Sequence, residues 1–142
     1  MNLLFVLTPK LEVAYLYIDY TLRQTLEKME HHRYSALPVL NRKGEYVGTV
    51  TEGDLLWYIK DHDNLDLQKA EEIPLRAVPR HRDNQPVRVD VDMEELIEMA
   101  GVQNFVPVID GKNSFIGIVT RRSLMDYTRR KQREEKQAQA IG

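Results

Sequence analysis

The sequence predicts an α/β (α+β) fold of two tandem β-α-β-β-α repeats packed as a pseudo-two-fold pair. Three observations predict it. First, one hairpin pattern occurs twice: Ala36-Leu37-Pro38-Val39-Leu40 with Tyr46-Val47-Gly48-Thr49-Val50-Thr51, and Phe105-Val106-Pro107-Val108-Ile109 with Phe115-Ile116-Gly117-Ile118-Val119-Thr120. Second, the match needs no gap. Pro38 and Pro107 stand 69 positions apart (107 − 38), as do Gly48 and Gly117, and Thr51 and Thr120. An ungapped internal match is what a duplicated supersecondary unit leaves behind. Third, helix-period apolar stripes flank each hairpin.

In the first repeat, Val13 to Ile18 reads as a short strand with aromatics at Tyr15 and Tyr17. Thr21 and Gln24 have capping-box spacing, and Leu22, Leu26 and Met29 form the stripe of a helix running to about His32. Ala36 to Leu40 is a buried strand, Asn41-Arg42-Lys43-Gly44 a polar turn, and Tyr46 to Val50 the returning strand. Thr51 caps a second helix whose inner side is Leu55, Leu56 and Ile59.

The polar stretch from Asp61 to Glu72 connects the halves. The order then repeats: a strand from Val87 to Val91, a helix capped by Asp92 with Glu95 at the box position, and a stripe of Met93, Leu96, Ile97 and Ala100. The second hairpin turns through Asp110-Gly111-Lys112-Asn113, and Thr120 caps the last helix. The expected divisions are 6–62 for repeat one, 63–73 for the connection, 74–128 for repeat two, and 129–142 for a polar C-terminal helix or tail. In that tail, Arg130 and Glu134 are spaced for a helical ion pair, which favours a solvated helix end over a basic arm.

A chain of 142 residues fits one compact domain. The absence of cysteine excludes disulfides, thiolate nucleophiles and cysteine zinc sites, and suits a cytoplasmic location. A net charge of −2 argues against general affinity for nucleic acid or acidic membranes. The Leu3–Leu7 apolar run is too short to span a bilayer and lacks the flanks of a signal peptide. His31 and His32 are adjacent and make a poor metal pair; His62 and His81 have no evident partners. No nucleophile–base pair or metal cluster has a usable spacing, so no enzyme, metal or cofactor is expected.

The strand-to-helix junction Gly48-Thr49-Val50-Thr51-Glu52-Gly53-Asp54 carries chemistry. A helix start offers unpaired N–H groups and a positive dipole end, both suited to phosphate. A carboxylate at Asp54 can accept hydrogen bonds from both hydroxyls of a ribose. Thr-x-x-Asp is equally a capping arrangement, and one residue can serve both roles. The second repeat reads Thr120-Arg121-Arg122-Ser123, with serine in place of the aspartate and two guanidinium groups suited to phosphate oxygens.

The paired Pro-Val and Gly-x-Val-Thr signatures, in order and in register, resemble a CBS-domain pair, or Bateman module. With no catalytic domain in this sequence, the chain is similar to the small stand-alone bacterial CBS-domain proteins. The resemblance implies a regulatory module that binds an adenine nucleotide (AMP, ADP, ATP or cyclic di-AMP) between the repeats. It also implies a homodimer and a regulated protein partner. Thr51 and Asp54 match the family's ribose-binding Thr-x-x-Asp. Stand-alone relatives that bind cyclic di-AMP carry a Thr-Arg-Arg like Thr120-Arg121-Arg122, an aromatic-hydroxyl pair like Tyr34-Ser35, and a small residue like Ala14. They carry a lysine before the first strand, where this chain has Glu12. A carboxylate beside a doubly anionic ligand is unfavourable.

Two clefts follow. One joins Val13, Ala14, Tyr34, Ser35 and Pro38 to Thr120, Arg121 and Arg122. The other joins Arg88, Asn104, Phe105 and Pro107 to Thr51 and Asp54; Arg80 and Arg82 are either further phosphate contacts to this cleft or part of a solvated polar loop. Phe105 and Tyr34 can stack on a base or belong to the core. The alternative to a sensor is a constitutive dimerisation or scaffold module with empty clefts.

Overall fold

The computed structural model describes residues 2–141. In chain order the strands and helices are β1 (Thr8–Pro9), β2 (Leu16–Tyr17), α1 (Leu22–His32), β3 (Ala36–Leu40), β4 (Tyr46–Thr51), α2 (Glu52–Asp61) and α3 (Leu67–Ala70), then β5 (Val87–Arg88), α4 (Met93–Val102), β6 (Val106–Ile109), β7 (Phe115–Val119) and α5 (Arg121–Ile141). The α/β architecture expected from the duplication is present. One sheet has the order β2-β3-β4 and the other β1-β7-β6-β5. In each repeat a two-residue strand pairs parallel with the first hairpin strand, and the hairpin itself is antiparallel.

Local chemistry fixes the helix starts. Thr21 and Gln24 form a reciprocal capping box, as do Thr51 and Asp54. Thr120 accepts from the Ser123 amide at 3.1 Å, and Ser123 Oγ accepts from the Thr120 amide at 3.1 Å. Asp92 caps α4 through the Glu94 amide at 3.4 Å.

The two cores exchange their leading segments. Leu3 and Val6 pack with Val87, Leu96, Val106 and Val119 of the second repeat. Ala70, Leu75 and Val78 pack with Leu16, Leu22, Leu37 and Val50 of the first. Leu3 and Leu75 open matching 3-10 turns (Leu3–Phe5 and Leu75–Ala77) that end at Val6 and Val78, so the exchange is reciprocal. It is sealed by β1, whose Pro9 lies opposite Gly117 of β7, and by Leu22 N–H donating to the Ile73 carbonyl at 2.7 Å. The hairpin ends also meet: Phe115 N–H donates to the Gly44 carbonyl at 2.8 Å.

Several sequence expectations need correction. The strand expected from Val13 to Ile18 is only Leu16–Tyr17, because β3 offers partners only at Val39 and Leu40; Lys10–Glu12 is a 3-10 turn. The strand expected from Val87 to Val91 stops at Arg88, where Val91 N–H turns back to the Arg88 carbonyl. Leu56 and Ile97, assigned to inner helix stripes, are more than half exposed. The connection is not wholly irregular, since Asp66 caps the short helix α3. No helix among the described residues is long and apolar enough to cross a membrane.

Candidate functional site

The packing of two repeats leaves two seams, and they differ. Seam one holds a cavity of about 330 Å³. One wall is the loop before β2, with Glu12, Val13 and Ala14; the floor is the start of β3, with Tyr34, Ser35, Leu37 and Pro38; the far wall carries Ile118 and Thr120. Of the residues expected in this cleft, Val13, Ala14, Tyr34, Ser35, Pro38 and Thr120 are brought together. Thr120 stands at the N-terminal end of α5, whose helical run of 21 residues gives the cavity edge a positive dipole end. Tyr34 is half exposed, and its ring stacks on His32 with centroids 5.8 Å apart.

Arg121 and Arg122 were expected to complete this cleft, but neither lines it. Arg121 Nε–H donates to the Ala100 carbonyl at 2.6 Å, tying the start of α5 to the end of α4. Basic side chains at a helix C-terminus satisfy its orphan carbonyls, which accounts for this contact. Arg122 is exposed on the first turn of α5.

Seam two is occupied by the chain itself. Asp54 is 2% exposed. Its carboxylate accepts from the Thr51 amide at 3.0 Å, the His81 amide at 3.1 Å, and His81 Nδ1–H at 2.5 Å. Burial pushes its pKa up, but the His81 side chain and the two backbone amides together hold it below the ordinary carboxylate value. Arg80 Nε–H donates to Asp83 at 2.8 Å, and the same Asp83 oxygen accepts from the Thr49 amide at 2.9 Å. Gly48 permits this approach, since a Cβ there would strike the Arg80–Asp83 pair. Tyr46 donates its hydroxyl to the Asn84 carbonyl at 2.8 Å, and burial pushes its phenol up to about 12. Asn84 Nδ2 reaches Asn104 at 2.8 Å and the Phe105 carbonyl at 3.0 Å.

The second expected cleft is therefore not assembled as read from the sequence. Asn104 and Phe105 line the cavity of seam one instead. Pro107 is buried on β6 opposite Ile118. Arg88 is exposed at the far end of β5, close enough to the Asp110 turn to help lower that carboxyl's pKa behind the Lys112 and Ser114 amides. Arg80 is spent on Asp83, and Arg82 is exposed. A cavity of about 370 Å³ does adjoin Asp54, but its walls are α2 and the connection: Trp57, Tyr58, Asp61, His62, Pro79 and His81. Among the described residues, two carboxylates and no lysine or arginine line it, which suits phosphate poorly. His81 and His62 do have partners: Asp54 for the first, and the stacked ring and carbonyl of Tyr58 for the second.

Thr8, Ala36, Leu37 and Ile118 line the cavity beside the residues expected from the sequence. Ala36, Leu37 and Ile118 flank Ser35, Pro38 and Thr120 in the chain or the cavity wall, so their neighbourhood is legible in the sequence. Thr8 enters only through the exchange of leading segments.

Comparison with known proteins agrees with this geometry. The model of the CBS domain family matches residues 6–61 and 75–130. A CBS domain-containing protein of Dictyostelium discoideum is 28% identical over 118 residues, covering 77% of this chain and 79% of its own. The crystal structure of CbpB in complex with c-di-AMP superposes with a TM-score of 0.86 at 20% identity, covering 97% of this chain and 91% of that one. CBSX2 in complex with AMP gives 0.73 at 19% identity, covering 92% and 98%. At these identities the two structures show likeness of fold alone. With a family model matched in each half and the duplicated sheets in place, the chain belongs to the CBS domain family as a tandem pair.

Proposed function

We propose that this chain is a non-enzymatic regulatory module that takes one adenine nucleotide in the cavity of seam one. The observation that carries this reading is the pairing, in one cleft of about 330 Å³, of an apolar floor with a helix start. Val13, Ala14, Leu37, Pro38 and Phe105 offer surface for a purine, and Thr120 with the first turn of α5 offers donors for phosphate. CbpB and CBSX2, whose folds this chain shares, were solved with c-di-AMP and AMP, which supports an adenine ligand. Arg122 is free to approach the anionic end from α5. Occupancy would bias the relative packing of the two repeats, and so a homodimer or a partner protein, by binding one arrangement better.

A thermal-shift series with AMP, ADP, ATP and cyclic di-AMP tests this. A ligand that binds only the native state raises the melting temperature with concentration. No shift with any of them contradicts it. The second reading, a constitutive scaffold, is favoured by one observation: seam two is already filled by the Arg80–Asp83 and Asp54–His81 contacts.

The expected homodimer fits the exposed apolar residues on α2 and α5. Leu56 and Met125 stand 69 positions apart (125 − 56), and both are more than half exposed, with Trp57 beside them. Equivalent apolar residues from the two repeats supply a self-complementary face of the kind a two-fold dimer buries.

A further inference from the structure

We propose that Glu12 reads the sugar in seam one, accepting hydrogen bonds from vicinal hydroxyls, so that the ligand is a mononucleotide with a free 2′,3′-diol and not a cyclic dinucleotide. This rests on the reading of seam one as the nucleotide cleft. The duplication supplies the comparison. Leu16 of β2 lies opposite Val39 and Val87 of β5 opposite Val108, so the segment leading into each of these strands repeats at an offset of 71 (87 − 16), and Glu12 corresponds to Asp83. In seam two the Asp83 carboxylate is consumed, by the Thr49 amide at 2.9 Å and by Arg80 Nε–H at 2.8 Å. In seam one Glu12 lines the open cavity and has no hydrogen-bond or ion-pair partner among the described residues.

The charge balance selects the ligand. Glu12 is the one lining residue charged at neutral pH, and no lysine or arginine lines the cavity among the described residues. A carboxylate repels phosphate and rewards donors. The phosphate therefore belongs at Thr120 and the α5 start, and the group next to it, the ribose, falls at the level of Glu12. The two oxygens of a carboxylate match the two hydroxyls of a cis-diol. A 3′,5′-cyclic dinucleotide has each 3′ oxygen esterified, so it presents one hydroxyl per sugar and two charges.

The test is calorimetric titration of AMP, 2′-deoxy-AMP and cyclic di-AMP into the full chain and its Glu12→Gln and Glu12→Lys variants. Glu12 is exposed, so neither variant removes core packing. The expected result is that wild type prefers AMP over 2′-deoxy-AMP by at least tenfold, that Glu12→Gln erases this preference, and that Glu12→Lys raises affinity for cyclic di-AMP. AMP and 2′-deoxy-AMP binding alike, an unchanged preference in Glu12→Gln, or tighter wild-type binding of cyclic di-AMP than of AMP overturns the role of Glu12 and leaves the nucleotide cleft standing. Failure of all three nucleotides to bind overturns the cleft reading, and the role of Glu12 with it.

Discussion

His81 grips Asp54 twice, through its backbone N–H at 3.1 Å and its ring Nδ1–H at 2.5 Å, both on the same carboxylate oxygen. The other oxygen takes the Thr51 amide at 3.0 Å, and the Thr51 hydroxyl returns the contact to the Asp54 amide at 3.1 Å. The carboxylate thus pins the connection between repeats to the start of α2.

Asp54→Ala should accordingly act on stability before it acts on ligand. It removes a helix cap and leaves two amides without their acceptor. Losses of this kind cost about 2–4 kcal/mol together. Urea unfolding measures it, and a loss below about 0.5 kcal/mol would mean that the latch carries no weight. Affinity for AMP in seam one should change less than threefold.

The same carboxylate sets an acid limit. Its folded pKa lies below the ordinary value, so the unfolded chain binds a proton more readily there. The stabilisation is present in full above the unfolded pKa of about 4 and is lost as pH falls through the lower folded value. The stability gap between wild type and Asp54→Asn should shrink as pH drops from 6 to 3. A gap independent of pH would contradict the assignment.

Gly117 lies beneath the β1 strand with φ of 155°, and an added Cβ would run into the Thr8 carbonyl and the Leu7 side chain. Gly117→Ala should cost about 1–3 kcal/mol by overpacking. Because Leu3 and Val6 reach the second core beside this contact, amide exchange of residues 3–9 should rise with it. Unchanged protection there would show that the exchange of segments does not depend on close approach at Gly117.

Leu56→Glu combined with Met125→Glu places two charges on the proposed dimer face. The double variant should sediment as a monomer at concentrations where wild type is dimeric, with its melting temperature otherwise governed by the fold. A wild-type monomer, or a dimer that survives both charges, would remove this face from consideration.

The hairpins and helix starts were legible because their signals are local: the prolines, glycines and the threonine caps of α2 and α5 repeat at one offset, the caps of α1 and α4 at 71 (92 − 21), and each acts on its own neighbours. The exchange of leading segments was not. β1 is two residues long and ends in Pro9, so it carries no strand periodicity. The fate of Asp54 was half legible. Its spacing announced a capping box, but not a histidine 27 positions away that takes the rest of the carboxylate. Arg121 was misplaced because sequence shows a cation at a helix start and does not show the neighbouring carbonyl of Ala100 that claims it.

The most direct measurement is calorimetric titration of AMP into wild type and into Ala36→Phe. Ala36 lines the seam-one cavity as a small residue, where repeat two carries Phe105 at the equivalent position. The expected result is one AMP per chain in wild type and none in a folded Ala36→Phe variant. Two AMP per chain, or undiminished binding with a phenyl ring at position 36, would contradict a single nucleotide held in seam one.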